Sequence, residues 1–465
     1  MSIYKNISFI EARSSKVLEI CAQLSRVMNE VHGTEFSSQF WTRILTSYVT
    51  ATVNQERFFA GESFACPRLF TPINGWKPAT KKQIRKEKIS AILRSLRGKY
   101  ALRDIPSKLP KLERMALGIR SEYFAPELKA APVSFKWAPL IFKPNRTMRE
   151  RLLDSAQELE TVFLSNIASH IPEIYVEYFP RIRSVLQRFE SLRVRKIFLE
   201  HPSSIFENIL VAYLSEVKQA RICQLQQGGF VGEAKSSISA LQRFQYDKLY
   251  TYGWKISDQD VPYYAVRLEK FSERYAETKP TKDKIDLLVV FGAPENSTVL
   301  KQHYIHCIET FTKELSVQKY AKRKFRPRAK SRRLRSVSYP SGFKSLPSRE
   351  RDRGMRPMYE LCRNSRVVVQ LTMPSTNFLE CIFIDQPVVG IDTNNMATDI
   401  IEPFLKFFHE VGVLHQDAKS VVRFLNDVDL YPWWRQVIEE WEYKKFKQTF
   451  ARSKICMELE GEGPQ

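Results

Sequence analysis

In the stretch "SRVVVQLTMPSTNFLECIFIDQPVVGID", Ser365 to Asp392, two runs of β-branched residues flank a proline, a pair of hydroxyl residues and an apolar segment. "SRVVVQL" (365–371) reads as a strand, since Val and its β-branched relatives suit a pleated, buried surface. Pro374 ends it. "STNFLECIFI" (375–384) then reads as a short helix opened by Ser375 or Thr376 as N-cap. "QPVVGID" (386–392) is the next strand. Strand, helix and strand in this order make a βαβ unit, and βαβ units make a parallel sheet.

The same grammar extends in both directions. "IDLLVVFG" (285–292) is a continuous apolar strand, followed by helical periodicity over 298–315. Ahead of the polar linker "ETKPTKDK" lie "VRKIFLE" (194–200), a helix in "SSIFENILVAYLSEVKQ" with Ser203 or Ser204 as cap, and the strands "RICQLQQ" (221–227) and "KLYTYGW" (248–254). The expected class is therefore α/β, with two consecutive α/β halves joined by a short linker and a cleft between them. One covers 1–275 and the other 283–452, leaving a flexible tail at 453–465.

Residues 8–60 read as two helices. Val17, Leu18, Ile20, Cys21, Leu24, Val27 and Met28 recur at three-to-four spacing, and Ser37 or Ser38 caps the second helix. Helical periodicity returns over 146–192. The Pro-, Lys- and Arg-rich region 70–140 reads as irregular, with a basic helix around 80–98. Further on, the pattern predicts a strand near "RLRSVSY" and helices near 351–363, 397–411, 417–426 and 433–452.

Bulk composition narrows the class. At 465 residues the chain has room for two or three domains, and 43% hydrophobic residues fill a sizeable core. The 73 Lys+Arg against 51 Asp+Glu give a charge of +22, which suits a polyanionic partner: nucleic acid, an anionic membrane face or a phosphorylated substrate. Seven scattered cysteines contain no CxxC pair, against a disulfide framework or zinc ribbon and for a reducing cytosol. No apolar run reaches the ~18 residues of a spanning helix, and "MSIYKNISFIEARSSKV" lacks a signal-peptide core. Membrane association, if any, is peripheral.

Three constellations are suited to chemistry. At Ser375 and Thr376 a strand runs into a helix start, where backbone N–H groups and hydroxyls fit a phosphate, with Glu380 one turn further in. The same residues equally describe an ordinary capping box. In "LQQGGFVGEA", Gly228, Gly229 and Gly232 permit close backbone approach, or simply a tight βα turn. The tract "KYAKRKFRPRAKSRRLRSVSYP" (319–340) holds ten Lys/Arg between Lys319 and Arg335. It reads as a solvated loop, a nucleic-acid patch, or a grip on phosphates or anionic lipid. His303 and His306 lack a third ligand at metal spacing, and His409 and His415 read as helix-end residues. GxSxG, P-loop and HExxH motifs are absent from the sequence.

Taken together, "RVMNEVHGTEFSSQFW", "QLQQGGFVGEA…YDKLYTYGW", "VVVQLTMPSTNFLE" and "FFHEVGVLHQDAKS…YPWWRQVIEEWEYKKFKQTFA" resemble a family of transferases encoded in bacterial O-antigen and surface-carbohydrate gene clusters. The resemblance covers most of 15–60 and 190–452, leaving out 65–145. It implies a GT-B-like glycosyltransferase with two Rossmann-like domains facing a cleft, whose C-terminal domain holds a nucleotide-activated donor and whose C-terminal helix, around Trp433 to Phe450, crosses back to the N-terminal domain. In that family the glycine loop carries a histidine, where this chain has Gln227, and a downstream His-Glu pair, where it has Phe244 and Gln245. Members also tend to begin with an extra strand and loop. Glutamine hydrogen-bonds but takes no proton at useful pH. Either another residue supplies a base, or the chain is a non-catalytic relative.

The resemblance thus implies transfer of a sugar from a nucleotide-sugar donor to a glycan or lipid-linked acceptor of surface polysaccharide, at the cytoplasmic side, peripheral to the inner face of the membrane. Ser375, Thr376, Asn377 and Glu380 would bind the donor, and Arg332 or Arg335 would neutralise its leaving group. Gln226, Gly228, Gly229 and Trp254 would line the acceptor side, with Gln227 at the position of the catalytic histidine. No metal or cofactor beyond the donor is expected. The rival readings are a nucleic-acid-binding protein built on 319–335 and a GT-B-like scaffold.

Overall fold

The structure, a computed structural model, describes residues 7–46, 49, 115–119, 131–133, 145, 147–157, 171, 175–187, 190, 194–199, 205–226, 228–229, 245–281, 284–291, 298–316, 318–327, 346–352, 356–373, 375–392 and 399–459. They divide into two compact units. One comprises the described residues of Asn6–Leu225 and Ala240–Leu249; the other comprises those of Gln226–Ser239 and Tyr250–Gln465.

The first unit opens with α1 (Ile7–His32). Most of its expected stripe is buried: Val17, Ile20, Cys21, Leu24, Val27 and Met28 are nearly inaccessible, while Leu18 is half-buried. The helix ends at Gly33, whose φ of +58° is the left-handed geometry of a helix terminator. A second helix, α2 (38–46), starts at the expected place. Ser37 is its cap, accepting the Phe40 N–H at 3.2 Å. The corner between them is a polar knot inside aromatic packing. Asn29 Oδ1 accepts the Trp41 indole N–H at 2.8 Å, and His32 stacks on Trp41 with centroids 5.8 Å apart. The His32 Nε2–H donates to Tyr175 O at 3.0 Å, while Nδ1 is buried without a hydrogen-bond partner. Burial pushes this imidazole down to about 4.

Strands β1 (Met115–Ile119) and β2 (Ala131–Val133) follow. They correct the reading of 70–140 as irregular: both are too short, and too hemmed by Pro and basic residues, to declare a period. The basic helix expected at 80–98 lies outside the described residues. Helices α3 (Thr147–Gln157) and α4 (Phe179–Leu186) precede β3 (Val194–Leu199), α5 (Ile205–Lys218) and β4 (Arg221–Leu225). Strands β5 (Lys248–Thr251) and β6 (Asp260–Pro262) complete a sheet ordered β2-β1-β3-β4-β5-β6. β1 runs parallel to β2 and β3, and β3 parallel to β4.

Helix α6 (Val266–Glu277) leads to the second sheet. Its elements are β7 (Ile285–Phe291), α7 (Thr298–Glu314), β8 (Arg323–Pro327), α8 (Met358–Arg363), β9 (Ser365–Met373), α9 (Thr376–Phe383), β10 (Val388–Asp392), α10 (Glu402–Glu410), β11 (Leu414–His415) and α11 (Ala418–Asp427). All five strands are parallel, ordered β11-β10-β9-β7-β8. Numbered from the first strand of the sheet, this is the doubly wound order 2-1-3-4-5. The expected α/β class with two Rossmann-like sheets is what the chain adopts.

Leu287, Val289, Phe291, Val367, Val369 and Leu371 face one core with α7 and α11 residues such as Ile308 and Val421. Alternation turns Val290 and Gln370 to the opposite face.

The basic tract is not a loop from its start. Residues 323–327 form β8, whose Phe325 is fully buried. Lys319 Nζ donates to Asn426 O at 3.0 Å, and the Tyr320 hydroxyl to Leu425 O at 2.8 Å. Charge density suggested a loop; the alternation of Phe325 with long basic side chains decided for a strand. The strand expected near "RLRSVSY" lies outside the described residues.

The C-terminal helix is also corrected: Glu440, extended at φ −63° and ψ 143°, splits it into α12 (Leu430–Glu439) and α13 (Trp441–Phe450). Part of the expected tail is helical as α14 (Lys454–Leu459), with Met457 buried.

Candidate functional site

Ligands of doubly wound sheets bind outside the carboxyl ends of the strands, where the strand order reverses. In the second unit that point lies between β7 and β9. The chain leaves β9 there and enters α9. Ser375, extended at φ −147° and ψ 147°, is the N-cap, its Oγ accepting the Phe378 N–H at 3.2 Å. Such a cap stabilises a helix by about 1 kcal/mol. The first-turn N–H groups of a helix have no partner within it and carry its positive end.

Ser375, Thr376, Asn377 and Glu380 are brought together here, and all are buried. Asn377 Nδ2 donates to Glu380 Oε2 at 2.5 Å, and Arg267 Nη2 of α6 lies 3.6 Å from Glu380 Oε1. Both carboxylate oxygens are therefore engaged. Arg267 went unnoticed in the sequence because nothing local ties it to Glu380.

Beneath this turn is Gln370, only 3% exposed. Its Oε1 lies 3.5 Å from Ser375 Oγ, and its Nε2 has no hydrogen-bond partner. In register across the sheet, Arg326 of β8 pairs with Val290 of β7, and Val290 with Gln370 of β9. Arg326 is likewise buried, with Nη1 3.6 Å from Asp352 Oδ1 and without a hydrogen bond. Asp352 also serves Arg356, 3.4 Å away. Burial lowers the Arg326 pKa, and Asp352 opposes the shift. Two buried donor atoms without a hydrogen bond in one row of a sheet, one of them in a long ion pair, are uncommon and call for an explanation. Sequence offered one signal for Gln370: a single amide inside "VVVQL".

The glycine loop belongs to the same compact unit as α9. Gln226 Oε1 accepts the Tyr252 N–H at 2.8 Å and the Trp254 indole N–H at 2.9 Å, and Nε2 donates to Gly228 O at 2.9 Å. Gln226 and Trp254, read as lining residues, are thus buried and bonded to each other. Gly228 is buried against Thr376: a Cβ built on it would lie 2.3 Å from Thr376 Oγ1. Gly229 is half-buried. Gln227, Arg332 and Arg335 lie outside the described residues.

The model of the LIC12162 family transferases matches residues 74–460. The chain belongs to this family. The match takes in the 65–145 region only from residue 74 and does not reach the helix pair of 15–60. Among solved structures, this LIC12162-family chain is similar to the wall teichoic acid polymerase TagF, at 12% identity over 61% of this chain and 83% of that one, with a TM-score of 0.33. It is also similar to the calicheamicin glycosyltransferase CalG4, at 11% identity over 75% and 97%, with a TM-score of 0.34. At such TM-scores the fold rests on the sheet topology itself. The search of curated proteins found no match. Among the described residues no helix is long and apolar enough to cross a membrane, and no three His, Cys, Asp or Glu side chains gather as metal ligands.

Proposed function

We propose that this transferase moves a sugar from a nucleotide-activated donor to a hydroxyl of a surface-polysaccharide or lipid-linked acceptor, in a GT-B-like arrangement, with the donor phosphate at the first turn of α9. The observation that carries the reading is the coincidence at one place of a helix N-terminus, the topological switch point and the unpartnered amide nitrogen of Gln370. A phosphate oxygen is an acceptor that this donor and the α9 N–H groups suit.

Ser375 and Thr376 hold the phosphate in this reading, and Asn377 with Glu380 shapes the turn or meets a donor hydroxyl. In the reaction the bond from the anomeric carbon to the donor phosphate breaks, the bond to the acceptor oxygen forms, and the hydroxyl proton passes to a base. Gln227 cannot be that base. The leaving phosphate gains charge, which guanidinium groups stabilise without proton transfer. Arg332 and Arg335 fit that role from the sequence, and Arg326 fits it from its place beside β7. Domain 283–452 would then be the donor domain, working in the cytoplasm at the membrane face. Described basic residues of the 319–335 tract favour this reading over nucleic-acid binding, since Arg323 and Arg326 sit beside the buried Glu350 and Asp352.

Thr376→Arg tests the site. Calorimetry with a panel of nucleoside diphosphates is expected to show affinity for one of them falling by about tenfold or more, roughly 1.4 kcal/mol. Equal affinity in a folded variant would sink the assignment.

A further inference from the structure

We propose that Gly228 is a positioning residue for the donor end of the site, acting through the side chain of Thr376, with Gln226 holding it in place. The proposal rests on the donor reading of α9.

Gly228 does not owe its identity to backbone conformation. The left-handed glycines of the described residues are Gly33, Gly253 and Gly412, and Gly228 is not among them. What requires glycine is proximity. A Cβ at 228 would sit 2.3 Å from Thr376 Oγ1, 3.2 Å from Cγ2 and 3.3 Å from Cβ. The first distance is far inside van der Waals contact, so something must move. Thr376 gives way poorly, because a β-branched side chain in a helix has few rotamers.

The Gly228 backbone gives way poorly too. Its carbonyl is bound by the Gln226 amide, and that amide is fixed by Tyr252 and Trp254. The Tyr252–Trp254 turn is in turn seated on the end of α13. Arg452 N–H donates to Tyr252 O at 3.0 Å, and a Cβ at Gly253 would lie 2.6 Å from Gln448 O. A side chain at 228 therefore transmits its volume to the Thr376 hydroxyl and the start of α9. The glycine loop, for which the sequence suggested an acceptor-side role, would govern donor binding.

A double-mutant cycle of Gly228→Ala and Thr376→Ala decides, read by nucleoside-diphosphate Kd, donor and acceptor KM, kcat and thermal midpoint. Gly228→Ala in the wild-type background is expected to weaken donor binding at least tenfold, to leave acceptor KM unchanged and to lower the midpoint. In the Thr376→Ala background the colliding atoms are gone, so the same substitution should change donor Kd less than twofold and leave the midpoint of Thr376→Ala intact. An equal penalty in both backgrounds, or a change in acceptor KM alone, overturns the proposal. Should Gly228→Ala alone fail to fold, recovery of a folded, donor-binding protein by the second substitution supports the proposal, and failure to recover it overturns the proposal. Unchanged nucleotide affinity in Thr376→Arg would remove the donor reading and this proposal with it. Loss in Thr376→Arg with an additive cycle would remove only this proposal.

Discussion

His32 illustrates how a residue's surroundings override its ordinary chemistry. Stacked on Trp41 and tilted against Phe179, it is held neutral, its pKa pushed down to about 4 by burial. Above pH 6.5 both folded and unfolded chains carry the neutral ring. As pH falls below that value the unfolded chain binds the proton and the folded one does not, so stability falls until about pH 4 and then levels. The full loss is on the order of 3 kcal/mol. Thermal midpoints between pH 4 and 7 should therefore decline more steeply for the wild type than for His32→Gln; parallel curves would refute the account. No local feature of the sequence tied His32 to its partner Tyr175, which lies 143 residues away along the chain. Gln370 was visible as an odd amide in an apolar strand, while its lack of a partner depends on what β7, β8 and α9 bring around it.

At the scale of elements, α9 is held at both ends. Its start meets Gly228, and its end runs into Asp385, a non-glycine residue at φ +53°. Helices α12 and α13 clamp that turn. The Trp434 indole donates to Asp385 O at 2.7 Å, Lys447 pairs with the carboxylate at 2.8 Å, and the Tyr443 hydroxyl reaches Asp385 Oδ1 at 2.9 Å. Tyr443→Phe removes that hydroxyl from a buried site and should cost about 1–2 kcal/mol in urea unfolding. A shift within error would mean that the clamp is held by packing alone. The strand and helix cores of this region were legible from periodicity and caps: Ser375 and Ser37 both cap where expected. The break at Glu440 was not, because "VIEEWEY" carries no Pro or Gly; the clamp on Asp385 lies on either side of it.

For the whole molecule, the β7–β9 switch point lies inside the all-parallel five-stranded sheet, so a ligand there should act locally. Hydrogen exchange with a bound nucleoside diphosphate is expected to slow amides of 365–384, while those of α1 and α5 keep their rates. Protection confined to α1 and α5 would place the ligand elsewhere. The +22 charge suggested a polyanion, yet part of it is structural. Lys319 binds carbonyl groups, and Arg323 and Arg326 lie beside buried carboxylates. Net charge counts residues and cannot separate those already engaged from those left to meet a ligand.

The sequence by itself determined the α/β class, the βαβ run of 365–392, the caps of α2 and α9, and the candidate turn at Ser375 and Thr376. These follow from periodicity, β-branching and hydroxyl placement, which act between residues a few positions apart. Tertiary structure alone decided that Gly228 meets Thr376, that Arg267 meets Glu380, and that Arg326 and Gln370 share a row of one sheet. Those meetings depend on strand order and close packing, which join distant segments and leave no local signature.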